Sequence, residues 1–117
     1  VDRIIIFDDL GNESRQKSIS ELLKRNRHFR SMVIISSQYP LDLDLQARKN
    51  LDYWLLFGNH SRDKLNSIYK DADLNIDVEA FYKIYDWATE SKFNFLYIDT
   101  TTGIMRKNFN LKINVKE

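Results

Sequence analysis

Three short apolar runs mark the first half of the chain, and each ends abruptly in polar residues. Ile4 to Phe7 run straight into Asp8 and Asp9, Met32 to Ile35 into Ser36, Ser37 and Gln38, and Tyr53 to Phe57 into Gly58 and Asn59. Unbroken runs of this kind predict strands covered on both faces, as in a parallel sheet. With their polar ends the strands span 3–9, 32–38 and 53–57. Asn12 or Ser14 can cap a helix whose Ile19, Leu22 and Leu23 fall at i, i+3 and i+4. After Pro40, "LDLDLQARKN" reads as a short helix or turn.

In the second half the apolar period changes. Ser61 caps a helix over about 61–72 with Leu65, Ile68 and Tyr69 on one face. A second helix, about 77–89, stacks Val78, Phe81, Tyr85 and Ala88. A hairpin over about 93–111 closes the chain, with strands near 93–98 and 104–111 and a turn at 100–103. Strands alternating with helices, then a hairpin, predict an α/β fold: a three-layer sandwich about a mostly parallel sheet.

Composition narrows the classes. The chain has 117 residues, one domain or part of one, with 43% hydrophobic and 13% aromatic residues, ample for a core. There is no cysteine, which excludes disulfides and cysteine-bound zinc and fits an intracellular, reducing compartment. No apolar run approaches the roughly 20 residues of a membrane span. The chain opens at Val1 almost within the first strand, which suggests a fragment or a processed product.

A net charge of +1 hides two opposed stretches. Arg15, Lys17, Lys24, Arg25, Arg27 and Arg30 face Glu21 alone, whereas Asp71, Asp73, Asp77, Glu79, Asp86 and Glu90 face Lys83 alone. They read as solvated helix faces, or as a basic edge meeting phosphates or a neighbour's acidic edge. Trp54, Tyr82, Tyr85 and Trp87 carry rings that could stack on bases, yet aromatics at this spacing ordinarily pack a core.

The strand ends carry the candidate chemistry. In open α/β sheets ligands bind beyond the carboxyl ends of the strands. Asp8 and Asp9 stand where Mg²⁺, a phosphate or a water would be handled; equally, aspartates before Gly11-Asn12 can simply make a turn. "IIIFDD" has the form of a Walker B element, one carboxylate holding hydrated Mg²⁺ and the next polarising a water. Gln38 follows the second strand, and an amide can donate to a phosphate oxygen and accept from a water at once. Before that strand, "NRHFR" places Arg27 and Arg30 on a loop from which a guanidinium can reach a neighbouring subunit; His28 lies between them. Gln38 could instead cap a turn, and Arg27 a helix end.

Taken together, "RIIIFDDL", "RNRHFRSMVIISSQYP" and "LQARKNLDYWLLF" resemble the genome-packaging ATPases of poxviruses, other large DNA viruses and virophages, in the FtsK–HerA branch of P-loop motors. The resemblance covers residues 3 to about 60 by motif and the remainder by architecture. It implies a partial P-loop sandwich of the ASCE type, forming the C-terminal part of an ATPase core. It further implies Asp8 as the Mg²⁺-associated Walker B acid, Asp9 as catalytic carboxylate, Gln38 as sensor and Arg27 as a trans-acting finger. His28 and Arg30 are further candidates. Arg48 and Asn50 match an Arg-x-Asn segment of unspecified role, and Asp9 stands where the wider superfamily usually has Glu. The implied setting is a hexameric or pentameric ring at a capsid vertex that hydrolyses ATP and moves double-stranded DNA, in the virion or in viral factories of the host cytoplasm.

One element of such a motor is missing from the sequence. No Gly-x-x-x-x-Gly-Lys-Ser/Thr occurs, and Gly11, Gly58 and Gly103 are the only glycines. A phosphate cradle needs converging N–H groups and a lysine, so by itself this chain is expected to be inactive. Two other classes compete. A receiver-like signalling domain would use Asp8 and Asp9, with Thr100 and Lys107 as switch residues, although Asp52 begins rather than ends the third strand. A non-catalytic nucleic-acid-binding module would use the Arg15–Arg30 stretch.

Overall fold

Ile4 to Phe7 build β1 (Arg3–Phe7), which pairs in parallel with β2 (Ser31–Ile35), Ile4 opposite Met32 and Phe7 opposite Ile35. The computed structural model describes residues 3–7, 25, 31–37, 43 and 45–114. The helix expected around Ile19 to Leu23 therefore lies outside the described residues. The chain divides into two compact units, Val1–Leu51 and Asp52–Glu117.

In the first unit, one face of the β1–β2 ladder is covered by α1 (Leu45–Lys49). Ala47 and Leu43 are buried there, with Val33, Ile35 and Leu51 packed against them. The other face is open: Ile4 and Ile6 are 59% and 65% exposed, and Met32 and Ile34 project beside them. This corrects the expectation of strands covered on both sides. An all-apolar run hides the strand period, because nothing polar marks which alternate positions face outward.

The second unit is a four-stranded sheet in the order β3-β4-β5-β6, formed by β3 (Tyr53–Leu56), β4 (Leu96–Asp99), β5 (Met105–Lys107) and β6 (Leu111–Lys112). Every pairing in it is antiparallel. The expected mostly parallel sheet is thus corrected: among the described residues only β1–β2 is parallel. For the β4–β5 and β5–β6 pairings the reason lies in the connections. Short turns join β4 to β5 and β5 to β6, and short turns can only reverse a strand.

Two helices lie between β3 and β4 in sequence, α2 (Arg62–Ala72) and α3 (Val78–Ala88). Ser61 caps α2, its hydroxyl accepting from the Lys64 N–H at 3.3 Å, and Asp73 closes it in the left-handed conformation. Their apolar stripes bury Leu65, Ile68, Phe81 and Tyr85 together with the inner sheet residues Leu56, Leu96, Ile98 and Met105. Tyr85 also fastens the chain leaving β3: its hydroxyl donates to the Phe57 carbonyl (2.6 Å) and accepts from the His60 N–H (3.1 Å).

Lys107 of β5 reaches the carboxyl end of α3. Its ammonium donates to the Trp87 carbonyl and the Glu90 carboxylate, both at 3.3 Å, and lies 4.5 Å from the centre of the Trp87 ring. A cation here meets the negative end of the helix dipole. The β4–β5 turn needs Gly103, which sits at φ +76° and donates to the Asp99 carbonyl at 2.8 Å.

Candidate functional site

The ladder of β1 and β2 ends level. Phe7 faces Ile35, and the Ser36 N–H extends the pairing by donating to the Phe7 carbonyl at 2.9 Å. Since the strands are parallel, both carboxyl ends leave the sheet at one rim. Ser36 and Ser37 are exposed there. Asp8, Asp9 and Gln38, together with Arg27, His28 and Arg30, lie outside the described residues.

Arg48 and Asn50 are the two candidates that are described. Ala47 presses α1 against Val33 and Ile35. Arg48 follows it, half-buried in the last turn, where Arg48 and Lys49 complement the helix dipole. Asn50 ends the helix: its side-chain amide donates to the Gln46 carbonyl at 2.8 Å and its backbone N–H to the Ala47 carbonyl at 3.0 Å. The asparagine is therefore a cap, satisfying carbonyls that the last turn would otherwise leave exposed. The resemblance singled out Asn50 without a role, and a capping role was not legible there because a terminal amide can cap, bind or merely solvate.

The second unit uses its polar residues structurally. The Thr100 hydroxyl donates to the Asp52 carbonyl at 2.9 Å, and Lys107 is held at the end of α3, so neither stands as a switch group. The Thr101 hydroxyl and N–H donate to the Asp99 carboxylate at 2.6 and 2.9 Å and hold it below the usual carboxylate range. Partial burial, with the Lys64 charge nearby, lowers the His60 imidazole. The Asp86 carboxylate takes Arg62 in two hydrogen bonds of 2.7 and 3.2 Å and raises its guanidinium further. Of the aromatics considered for stacking, Trp54 and Tyr85 are core residues.

Among the described residues no three His, Asp or Glu side chains come together to hold a metal, and no helix is long and apolar enough to cross a membrane. The acids that follow β1 in the sequence, Asp8 and Asp9, are the expected candidates for a metal and lie outside the described residues. Those acids would offer oxygen donors alone, a set that fits a hard, hydrated cation such as Mg²⁺.

Comparison with known proteins adds an independent line. The sequence profile of the family described as Poxvirus A32 protein matches residues 1–101. An uncharacterized protein of Invertebrate iridescent virus 6 is 25% identical over 101 residues, covering 84% of this chain and 39% of that protein. An uncharacterized protein of Acanthamoeba polyphaga mimivirus is 30% identical over 92 residues, covering 74% and 32%. Among solved structures, the genome packaging NTPase B204 of Sulfolobus turreted icosahedral virus 2, in complex with ATP-gammaS, superimposes with a TM-score of 0.67 at 24% identity. That match covers 90% of this chain and 50% of B204. The DNA-packaging ATPase B204 of Sulfolobus Turreted Icosahedral Virus gives a TM-score of 0.68 at 23% identity, covering 90% and 50%. The fold is shared, and the chain spans about a third of its curated relatives and half of the solved ones.

Proposed function

The chain belongs to the poxvirus A32 protein family, and from that membership we propose that it forms the hydrolytic rim of a motor packaging viral double-stranded DNA. The single observation that supports this most is the level ending of β1 and β2. Both strands end at one rim, and in the sequence the acidic pair follows Phe7 directly while Gln38 comes three residues after Ile35.

In this reading Asp8 holds Mg²⁺, largely through its water shell, and the ion when bound neutralises charge on the phosphate oxygens. Asp9 accepts a proton from the attacking water. Gln38 accepts a hydrogen bond from the same water and donates to the terminal phosphate, fixing the line of attack. Arg27, or its neighbour Arg30, offers a guanidinium to the site of an adjacent subunit, and His28 lies beside them. Asn50 closes the helix that carries Arg48 and so keeps α1 seated beneath β2.

Phosphate gripping comes from outside these 117 residues, which lack the glycine-rich loop. In the P-loop arrangement the strand feeding that loop lies between the sensor strand and the next one. ATP and Mg²⁺ are then the cofactors, with double-stranded DNA, a capsid vertex and further copies in a ring as partners, in the virion or a viral factory. The test is hydrolysis by the protein together with its phosphate-binding segment. Asp9→Asn should abolish turnover and leave nucleotide binding largely intact; retained turnover refutes the role.

A further inference from the structure

We propose that the outer face of the four-stranded sheet binds single-stranded nucleic acid, with bases stacking on its aromatic rings and phosphates meeting Arg106 and Lys112. The side chains that point away from α2 and α3 follow from register. Tyr53 pairs with Asp99, Leu55 with Tyr97, Tyr97 with Arg106, and Arg106 with Lys112, so these positions share one face.

The rings on this face form a continuous row. Tyr53 stacks on Tyr97 at 5.9 Å, Tyr97 meets Phe109 at 5.7 Å, Phe109 meets Phe95 at 4.9 Å, and Phe95 meets Phe57 at 5.2 Å. Tyr53, Phe57 and Phe109 are 55%, 49% and 63% exposed, far from the burial that core aromatics reach.

Charge selects the occupant. The cations Arg106 and Lys112 belong to this face by register, whereas the acids Asp71, Asp73, Asp77, Glu79, Asp86 and Glu90 lie on or beside the two helices. Among the described residues the one acid of the face, Asp99, is already engaged by the hydroxyl and N–H of Thr101. Exposed rings flanked by cations on an open sheet suit unstacked bases joined by phosphates. A duplex, whose bases already stack on one another, offers the rings nothing. This binding is separate from hydrolysis and needs none of the strand-end acids.

The test uses the 117-residue chain and a fluorescein-labelled oligothymidine of roughly 12 nucleotides, followed by anisotropy. Binding should weaken with salt at a log–log slope of about −1.4, two phosphate contacts at about −0.7 each, and Arg106→Gln should halve that slope. Phe109→Ala removes an exposed ring and should weaken binding about five- to a hundredfold, as loss of one stacked base does. Tyr82→Ala, a ring on α3 that Arg62 covers, should change nothing, and a duplex of equal length should bind more weakly. Equal binding of duplex, no effect of Phe109→Ala, or self-association in sedimentation without oligonucleotide binding would each overturn the proposal. The last outcome would give the face to a second copy.

Discussion

Phe7 and Ile35 stand opposite each other as the final residues of two parallel strands, and the Ser36 N–H carries the ladder one step beyond them. The hydrogen bond fixes how far the two strand ends may shift along one another.

Ser36→Pro removes the N–H that donates to Phe7 and should destabilise the first unit by about 1–3 kcal/mol. Ser36→Ala keeps the N–H and should be close to neutral. Urea denaturation of both variants checks this; equal stability of Ser36→Pro and Ser36→Ala would show that the extension of the ladder is without consequence.

Tyr85→Phe should cost about 1–3 kcal/mol. The ring would still pack, but the Phe57 carbonyl and the His60 N–H would both lose their partner in a position where Tyr85 is only 3% exposed. Thermal and chemical denaturation should agree. A variant as stable as the parent would mean that water satisfies both groups.

Within the second unit, burial should outweigh surface charge. Leu65 is fully buried, so Leu65→Ala should cost about 2–5 kcal/mol. The Arg62–Asp86 pair has ideal two-bond geometry, yet both side chains are more than half exposed. Asp86→Asn should therefore cost far less than Leu65→Ala, and less still in high salt. Comparable losses from the two variants would reverse that ranking.

His60 gives the second unit a sensitivity to acid. Burial and the Lys64 charge lower its pKa in the folded state, so the unfolded chain binds a proton first. No stability is lost while the pH stays above the ordinary histidine value of about 6.5; below it, stability falls until the folded-state pKa is reached. Asp99 acts lower on the scale: its depressed pKa contributes stability above the ordinary carboxylate value, lost as the pH falls through the folded one. His60→Asn should flatten the upper decline alone. Denaturation midpoints between about pH 7 and 5 measure it.

Much of the second unit could be read from residue order. Ser61, Leu65 and Ile68 announced α2 through a cap and a stripe, and Phe81, Tyr85 and Ala88 announced α3, because helical spacing separates buried from exposed positions along the chain. Strand faces were harder. In "YWLLF" every position is apolar, so nothing distinguishes Trp54 and Leu56, which are buried, from Tyr53, Leu55 and Phe57, which are not. The same uniformity concealed the open side of β1. Strand direction was also beyond local pattern, since it depends on what joins the strands. Asn50 stood out by its place in a motif, but its capping contact depends on where α1 ends, which periodicity does not fix.

The reach of Lys107 across to α3 makes the last strands a clasp rather than an appendage. If β5 peeled from β4, taking the edge strand β6 with it, the Trp87 carbonyl would lose a donor and the Glu90 carboxylate its counter-ion, so loosening on that side of the sheet is felt at the far end of a helix. Opening of the edge and fraying of α3 are thereby coupled into a single cooperative event.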